Sequence, residues 1–200
     1  MKRPRWIISL ALVACCASIS PAWAQSPTDY VRGIMTKVMA IQTDPAQAGP
    51  AHEAQRGQLI HQVIEKSFDF QEMARDALGS AYGQISGGQR QEFTTTFSYL
   101  FQDSYTRMVL KFLLKENITY NRESREGGKA RVDTTIVRTN ESIPVTYLMH
   151  QAQGGWLLYD VNVDGVSILN NYRTQFSQAI RTKGFGFLLE RMKNQRQATK

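Results

Sequence analysis

The sequence predicts an α+β fold, in which a curved antiparallel sheet of about four strands carries helices gathered on one face. Two observations predict it. Apolar residues recur at helical spacing as far as residue 113, switch to a period of two between 118 and 163, and then return to helical spacing. The segments of period two are joined by short turns rich in glycine and asparagine, which make neighbouring strands antiparallel.

The N-terminus reads as an export signal. Lys2, Arg3 and Arg5 precede the uncharged apolar stretch Trp6 to Ser20; Pro21 then leads into Ala22-Trp23-Ala24, a small-x-small cleavage pattern. The stretch is shorter than the roughly 20 residues of a spanning helix. Residues 1–24 are therefore expected to be a cleaved signal peptide, and 25–200 a single mature domain. The competing reading takes Leu12-Val13-Ala14-Cys15 as a lipobox, which would leave a lipidated Cys15. A chain starting there would open with further apolar residues and a second cysteine, which favours cleavage after Ala24. That cleavage removes Cys15 and Cys16, so the mature chain has no disulfide, thiolate nucleophile or cysteine-bound metal.

Each later element has a local cause. Ser26-Pro27-Thr28-Asp29 is a capping sequence, and Val31, Ile34, Met35, Val38 and Ile41 follow on one helical face. Residues 43–50, with Asp-Pro and Gly-Pro pairs, form a loop; Leu59, Ile60, Val63 and Ile64 mark a second helix. After Phe68-Asp69-Phe70 a short helix carries Met73, Ala77 and Leu78 and stops at Gly79. Ser86-Gly87-Gly88-Gln89 opens the longest pattern. Phe93, Phe97, Leu100, Phe101, Ser104, Met108 and Phe112 share one side, Tyr105, Val109 and Leu113 widen it, and no breaker comes before Asn117. Strands are expected over 118–123, 129–138, 143–151 and 156–163, with Val145, Tyr147 and Met149 on one face and Tyr159, Val161 and Val163 matching them on the next strand. Gly165 is expected to end the sheet. Val166, Leu169, Tyr172, Phe176 and Ile180 then set up a helix, and a last amphipathic helix follows Gly184.

The search for chemistry returns negatives. His52, His61 and His150 stand in different elements, and His52-Glu53 lacks the second histidine of a metalloprotease helix, because Arg56 occupies that place. No Gly-x-Ser-x-Gly elbow, phosphate loop or calcium loop is present. No catalytic residue, metal or cofactor is therefore assigned. What remains is an excess of aromatic residues and methionine on the long helix and one sheet face. Periodicity shows that these side chains point inward but not whether the space between them is full, so a packed core and an apolar ligand cavity both stay open.

Several motifs resemble the MlaC family of periplasmic phospholipid-binding components of an ABC-type lipid transport system. They are Phe68-Asp69-Phe70 with Met73-Ala74 and Leu78-Gly79, then Gln89, Phe93, Phe97 and Tyr105. Most specific are Trp156-Leu157-Leu158-Tyr159-Asp160-Val161, Gly165-Val166-Ser167, Asn171-Tyr172-Arg173 and Gln175-Phe176. The similarity spans roughly residues 28–195. It implies a monomeric periplasmic carrier that holds glycerophospholipid acyl chains in an apolar pocket between sheet and helices. Such a carrier shuttles lipid between an outer-membrane lipoprotein–porin complex and an inner-membrane ABC-type transporter complex, maintaining outer-membrane lipid asymmetry. The residues implied as pocket lining are Phe97, Phe101, Tyr105, Met108, Ile136, Val145, Tyr147, Met149, Tyr159, Val161, Val166 and Leu169. Arg173 is either a headgroup contact or part of a structural cap. Rival readings are a hopanoid-related carrier of the same fold, a small-molecule enzyme using an Asp–His pair inside a cone, and a docking protein with a filled core. His150, the only strand histidine, alternates onto the face opposite Tyr147 and Met149, which argues against a pocket base.

Charge separates a further class. The 24 Lys and Arg against 17 Asp and Glu give +7, but loss of Lys2, Arg3 and Arg5 lowers this to +4. Arg181, Lys183, Arg191, Lys193, Arg196 and Lys200 against Glu190 make residues 181–200 alone +5, so the rest of the mature chain is −1. Basicity belongs to the C-terminal helix, as a solvated end or a docking patch, and nucleic acid is not an expected partner.

Overall fold

A computed structural model of the chain describes residues 25–198. The signal-peptide and lipobox readings, and Lys200 of the basic tail, lie outside the described residues.

Helix α1 (Pro27–Thr43) starts where Ser26 accepts the Asp29 N–H, with Pro27 in the first turn. Helices α2 (Glu53–Ser67), α3 (Phe70–Leu78) and the single turn α4 (Ala81–Gln84) follow, and the intervening 43–52 loop winds into two short 3₁₀ turns. Helix α5 (Gly87–Phe112) opens with the expected capping box, in which Ser86 and Gln89 satisfy each other's backbone N–H groups. It ends at Phe112, earlier than Asn117. Nε2 of Gln42 on α1 reaches the carbonyls of Val109, Leu110 and Leu113 at 3.1, 3.3 and 3.0 Å, satisfying acceptors that a continuing helix would have used.

Strands β1 (Asn117–Glu126), β2 (Lys129–Val137), β3 (Ser142–Ala152), β4 (Gly155–Val163) and β5 (Val166–Ser167) form an antiparallel meander in chain order. The sheet gains one short strand beyond the expected number. Asp164 (φ 50°) and Gly165 (φ 78°) take positive φ in succession, a tight Asp-Gly hairpin turn that pairs Val166 with Val163 instead of ending the sheet. Val166 thus lies on the edge strand β5, not in a helix, and is 60% exposed.

Helix α6 (Ile168–Ala198) kinks at Gly184, where φ is 83°. The two predicted C-terminal helices are therefore its two arms. Their apolar faces, with Leu169 and Phe176 on one and Leu188, Leu189 and Met192 on the other, are buried. Lys193 pairs with Glu92 of α5, and the Arg196 guanidinium stacks over Tyr99 of the same helix.

Asp160 on β4 has a structural position. Its buried carboxylate accepts the Val161 N–H at 2.8 Å, the Ser167 hydroxyl at 2.6 Å and the Leu169 N–H at 3.0 Å. One side chain thus ties β4, β5 and the first turn of α6 together, and it caps that helix with negative charge.

Candidate functional site

A helix of 26 residues is about 39 Å long at 1.5 Å per residue, longer than one core requires. The stripe on α5 accordingly serves two environments. Its N-terminal half packs against other helices: Phe97 meets Tyr172 edge-on with ring centroids 5.2 Å apart, Phe93 meets Phe176 at 5.6 Å, and Phe101 meets Phe70 at 5.7 Å. Its C-terminal half, from Tyr105 to Leu113, faces the sheet across a gap.

That gap is a cavity of about 380 Å³. Ile34, Met35 and Val38 of α1 wall one side, with Ile64 and Phe68 at the end of α2. Tyr105, Met108, Val109 and Phe112 of α5, with Leu113 just past its end, wall another. The sheet supplies Ile136 from β2, Ile143, Val145 and Tyr147 from β3, and Leu158, Val161 and Val163 from β4. Charge enters only at one corner, through Arg138 and Glu141 at the β2–β3 turn, where Phe112 is 48% exposed. The volume falls within the roughly 300–1,000 Å³ of small-molecule sites.

Both phenols on the wall are held neutral. Burial pushes Tyr105 and Tyr147 above the ordinary tyrosine range. The Tyr147 hydroxyl lies 3.7 Å from the Met35 sulfur, a weak acceptor, and the buried Tyr105 hydroxyl has no hydrogen-bond partner. The chamber therefore offers contact area and almost no directed polarity.

Of the expected lining residues, the structure brings Tyr105, Met108, Ile136, Val145, Tyr147 and Val161 to this cavity. The others lie elsewhere, each for a physical reason. Phe97 and Phe101 belong to the interhelical aromatic cluster; Phe97 also borders a second cavity of about 290 Å³, between α5 and the arms of α6, whose wall includes Asn171, Gln175, Arg191 and Gln195. Met149 is fully buried among filled core, paired across strands with Ala130 and Leu158. Leu169 is buried at the start of α6, and Val166 is exposed on β5.

Tyr159 is displaced by a bulge. Leu148 pairs with Asp160 and Met149 with Leu158, so Tyr159 is the unpaired extra residue and the inward phase of β4 slips from Leu158 to Val161. Tyr159 instead meets His150, with ring centroids 6.0 Å apart. Arg173 is exposed, and its guanidinium lies beside Gly79 at the C-terminal end of α3, where a Cβ on Gly79 would stand 3.6 Å from Nε. A cation at that end complements the helix dipole, a structural contact in keeping with the second of the two expected roles.

Sequence reasoning missed the α1 contribution and the end of α5. The stripe Ile34, Met35, Val38 was visible at helical spacing, but spacing alone does not say which neighbour a helix faces. An Asp–His pair does exist, with Asp69 Oδ2 3.0 Å from His150 Nε2, but neither residue lines the cavity. No cluster of three metal-ligating side chains is present among the described residues, and none of their helices is long and apolar enough to cross a membrane.

Comparison with known proteins places this geometry in a family. The family model described as MlaC protein matches residues 32–194. The chain belongs to the MlaC family. A curated relative, toluene tolerance protein ttg2D of Pseudomonas putida, is 20% identical over 184 residues, spanning 88% of this chain and 82% of that protein. The structure of a phospholipid-binding protein from Ralstonia solanacearum, solved in complex with a phospholipid, shares the fold. It superposes with a TM-score of 0.73 at 22% identity and covers 88% of this chain and 98% of that one.

Proposed function

We propose that this chain is a periplasmic carrier that takes the acyl chains of a glycerophospholipid into the cavity between α1, α5 and the sheet and moves the lipid between the outer and inner membranes. The observation that carries this reading is the cavity itself: aliphatic and aromatic on every wall, charged at a single corner, and closed by no polar network. Family membership and the phospholipid bound by the Ralstonia solanacearum protein support it.

The physical need for such a carrier is simple. Each methylene withdrawn from water is worth about 0.8 kcal/mol, so a two-tailed lipid leaves a membrane for free water only at a prohibitive cost. The protein replaces that water with an apolar wall. Within this reading, export by residues 1–24 places the chain in the periplasm, an inner-membrane ABC-type transporter complex and an outer-membrane lipoprotein–porin complex are its exchange partners, and upkeep of outer-membrane lipid asymmetry is the result. No group in the cavity is arranged as nucleophile, base or metal ligand, so the proposed role is transport without chemistry.

The test is lipid content. Protein purified gently from periplasm should carry phospholipid in stoichiometric amount by native mass spectrometry and solvent extraction. Repeated recovery of folded, lipid-free protein from lipid-rich preparations overturns the proposal.

A further inference from the structure

The charged corner of the cavity is formed by Arg138 and Glu141, with Glu116 behind the arginine. Arg138, 26% exposed at its side chain, projects from the end of β2. One guanidinium nitrogen donates to the Phe112 carbonyl at the end of α5. A second stands 3.6 Å from Oε2 of Glu141, a side chain that is 60% exposed. Nε lies 3.4 Å from Oε1 of Glu116, yet it is buried and has no aligned hydrogen-bond acceptor. The arginine is thus held in place, while part of its donor set remains unspent at the edge of an apolar chamber.

We infer that Arg138 is the phosphate anchor of this carrier and that Glu141 beside it favours headgroups bearing an ammonium group. The inference rests on the carrier reading and adds a substrate preference to it. A planar guanidinium suits phosphate because its N–H groups form a fork that two phosphate oxygens can meet together. The two ion pairs that now occupy it are long, whereas charge-assisted N–H···O bonds run at about 2.7–2.9 Å, so a phosphate oxygen can displace them at little loss. The apolar walls leading to this corner leave the glycerol–phosphate junction of a lipid there once its tails are buried. Glu141, on the solvent side of the pair, then lies where a zwitterionic headgroup carries its amine. An anionic headgroup without an amine meets an uncompensated carboxylate instead.

The experiment is competitive uptake by delipidated protein from vesicles containing equal amounts of dioleoyl phosphatidylethanolamine, dioleoyl phosphatidylglycerol and dioleoylglycerol, whose tails are identical. Bound lipid is counted by mass spectrometry. The unaltered protein should prefer both phospholipids to the phosphate-free dioleoylglycerol, and the ethanolamine lipid to the glycerol one. Arg138→Gln should lower the phospholipid-to-dioleoylglycerol ratio about tenfold, the worth of a hydrogen bond to a charged group. Glu141→Gln should bring the ethanolamine-to-glycerol preference down by about twofold, as for an exposed charge pair. Glu116→Gln, which frees Arg138 from its nearest carboxylate, should raise the phospholipid-to-dioleoylglycerol ratio. Wild-type ratios in a folded Arg138→Gln protein overturn the inference while leaving the carrier reading intact. If Arg138→Gln does not fold, unchanged ratios in both glutamate variants overturn it equally. Failure of the unaltered protein to take up any of the three lipids overturns the carrier reading itself.

Discussion

Replacing Val145 by Phe separates an open chamber from a filled core. Val145 sits on β3, buried at 4% exposure, and its side chain forms part of the sheet wall between Ile143 and Tyr147. The substitution adds four carbons. If they enter empty apolar space, they are worth up to about 0.8 kcal/mol each, a ceiling of about 3 kcal/mol, from which imperfect fit subtracts. If the space is already full, overpacking costs about 1–3 kcal/mol. The two accounts therefore differ in sign. Denaturant unfolding of delipidated protein should show Val145→Phe as stable as the parent or more so, with the m-value unchanged. The same variant should extract less phospholipid from vesicles, because the ring occupies space an acyl chain would use. A loss of more than about 1 kcal/mol with full lipid uptake refutes the cavity as the lipid site.

Other substitutions probe neighbouring claims. Tyr105→Phe removes a buried hydroxyl that has no partner while keeping its ring stacked on Phe101 at 4.5 Å, so the unfolding free energy should hold or rise by up to about 1 kcal/mol. Asp160→Asn turns an acceptor of three hydrogen bonds into a mixed donor and acceptor, and should lower stability by about 2–3 kcal/mol in equilibrium unfolding. Glu123 on β1 binds the N-terminus of α1 through the Thr28 N–H and hydroxyl at 2.8 and 2.6 Å, and Arg125 donates to it at 2.7 Å. Burial raises its pKa, but these bonds outweigh that and hold it below the usual carboxylate range. A depressed folded pKa gives stability that is full above the unfolded value and is lost as the pH falls through the folded one. A plot of unfolding free energy from pH 7 to pH 3 should therefore fall less steeply for Glu123→Gln than for the parent, and parallel acid limbs would contradict the assignment.

What the sequence disclosed follows from the range of each interaction. Capping at Ser26 and Ser86, the stop at Gly79 and the antiparallel meander depend on residues only a few positions apart, and all were legible. The early end of α5 depends on Gln42, which is 67 residues distant from Val109, so no local pattern contained it. Strict alternation put Tyr159 with Val161, and one bulge opposite Leu148 and Met149 reversed that. The Asp164-Gly165 pair is itself a local hairpin signal, and it turns the chain into β5 at the point where Gly165 is expected to end the sheet. The cavity lining shows the same division: the inward sheet residues Val145, Tyr147 and Val161 were readable from the period, whereas Ile34 and Met35 needed the packing of α1 against the sheet.

The location of the cavity follows from where helices stop. Along most of α5 the aromatic stripe is matched by α3 and α6, whose rings interlock with it. Neither partner lines the chamber at the last turns: α2 packs along one side of them, with Gly57 beside Thr106 and Leu110, and the side that carries Met108 and Val109 faces α1 and the curved sheet. An apolar wall without a matching ridge opposite leaves space. Gln42, by closing α5 at Phe112, fixes how far that wall extends and sets its carbonyl end beside Arg138. The apolar chamber and its charged corner therefore share one structural origin, the C-terminal end of α5. Gln42→Ala, which frees the carbonyls at the end of α5, should accordingly shift the Arg138 corner and alter lipid uptake from vesicles, even though every cavity-facing residue of the sheet is left in place.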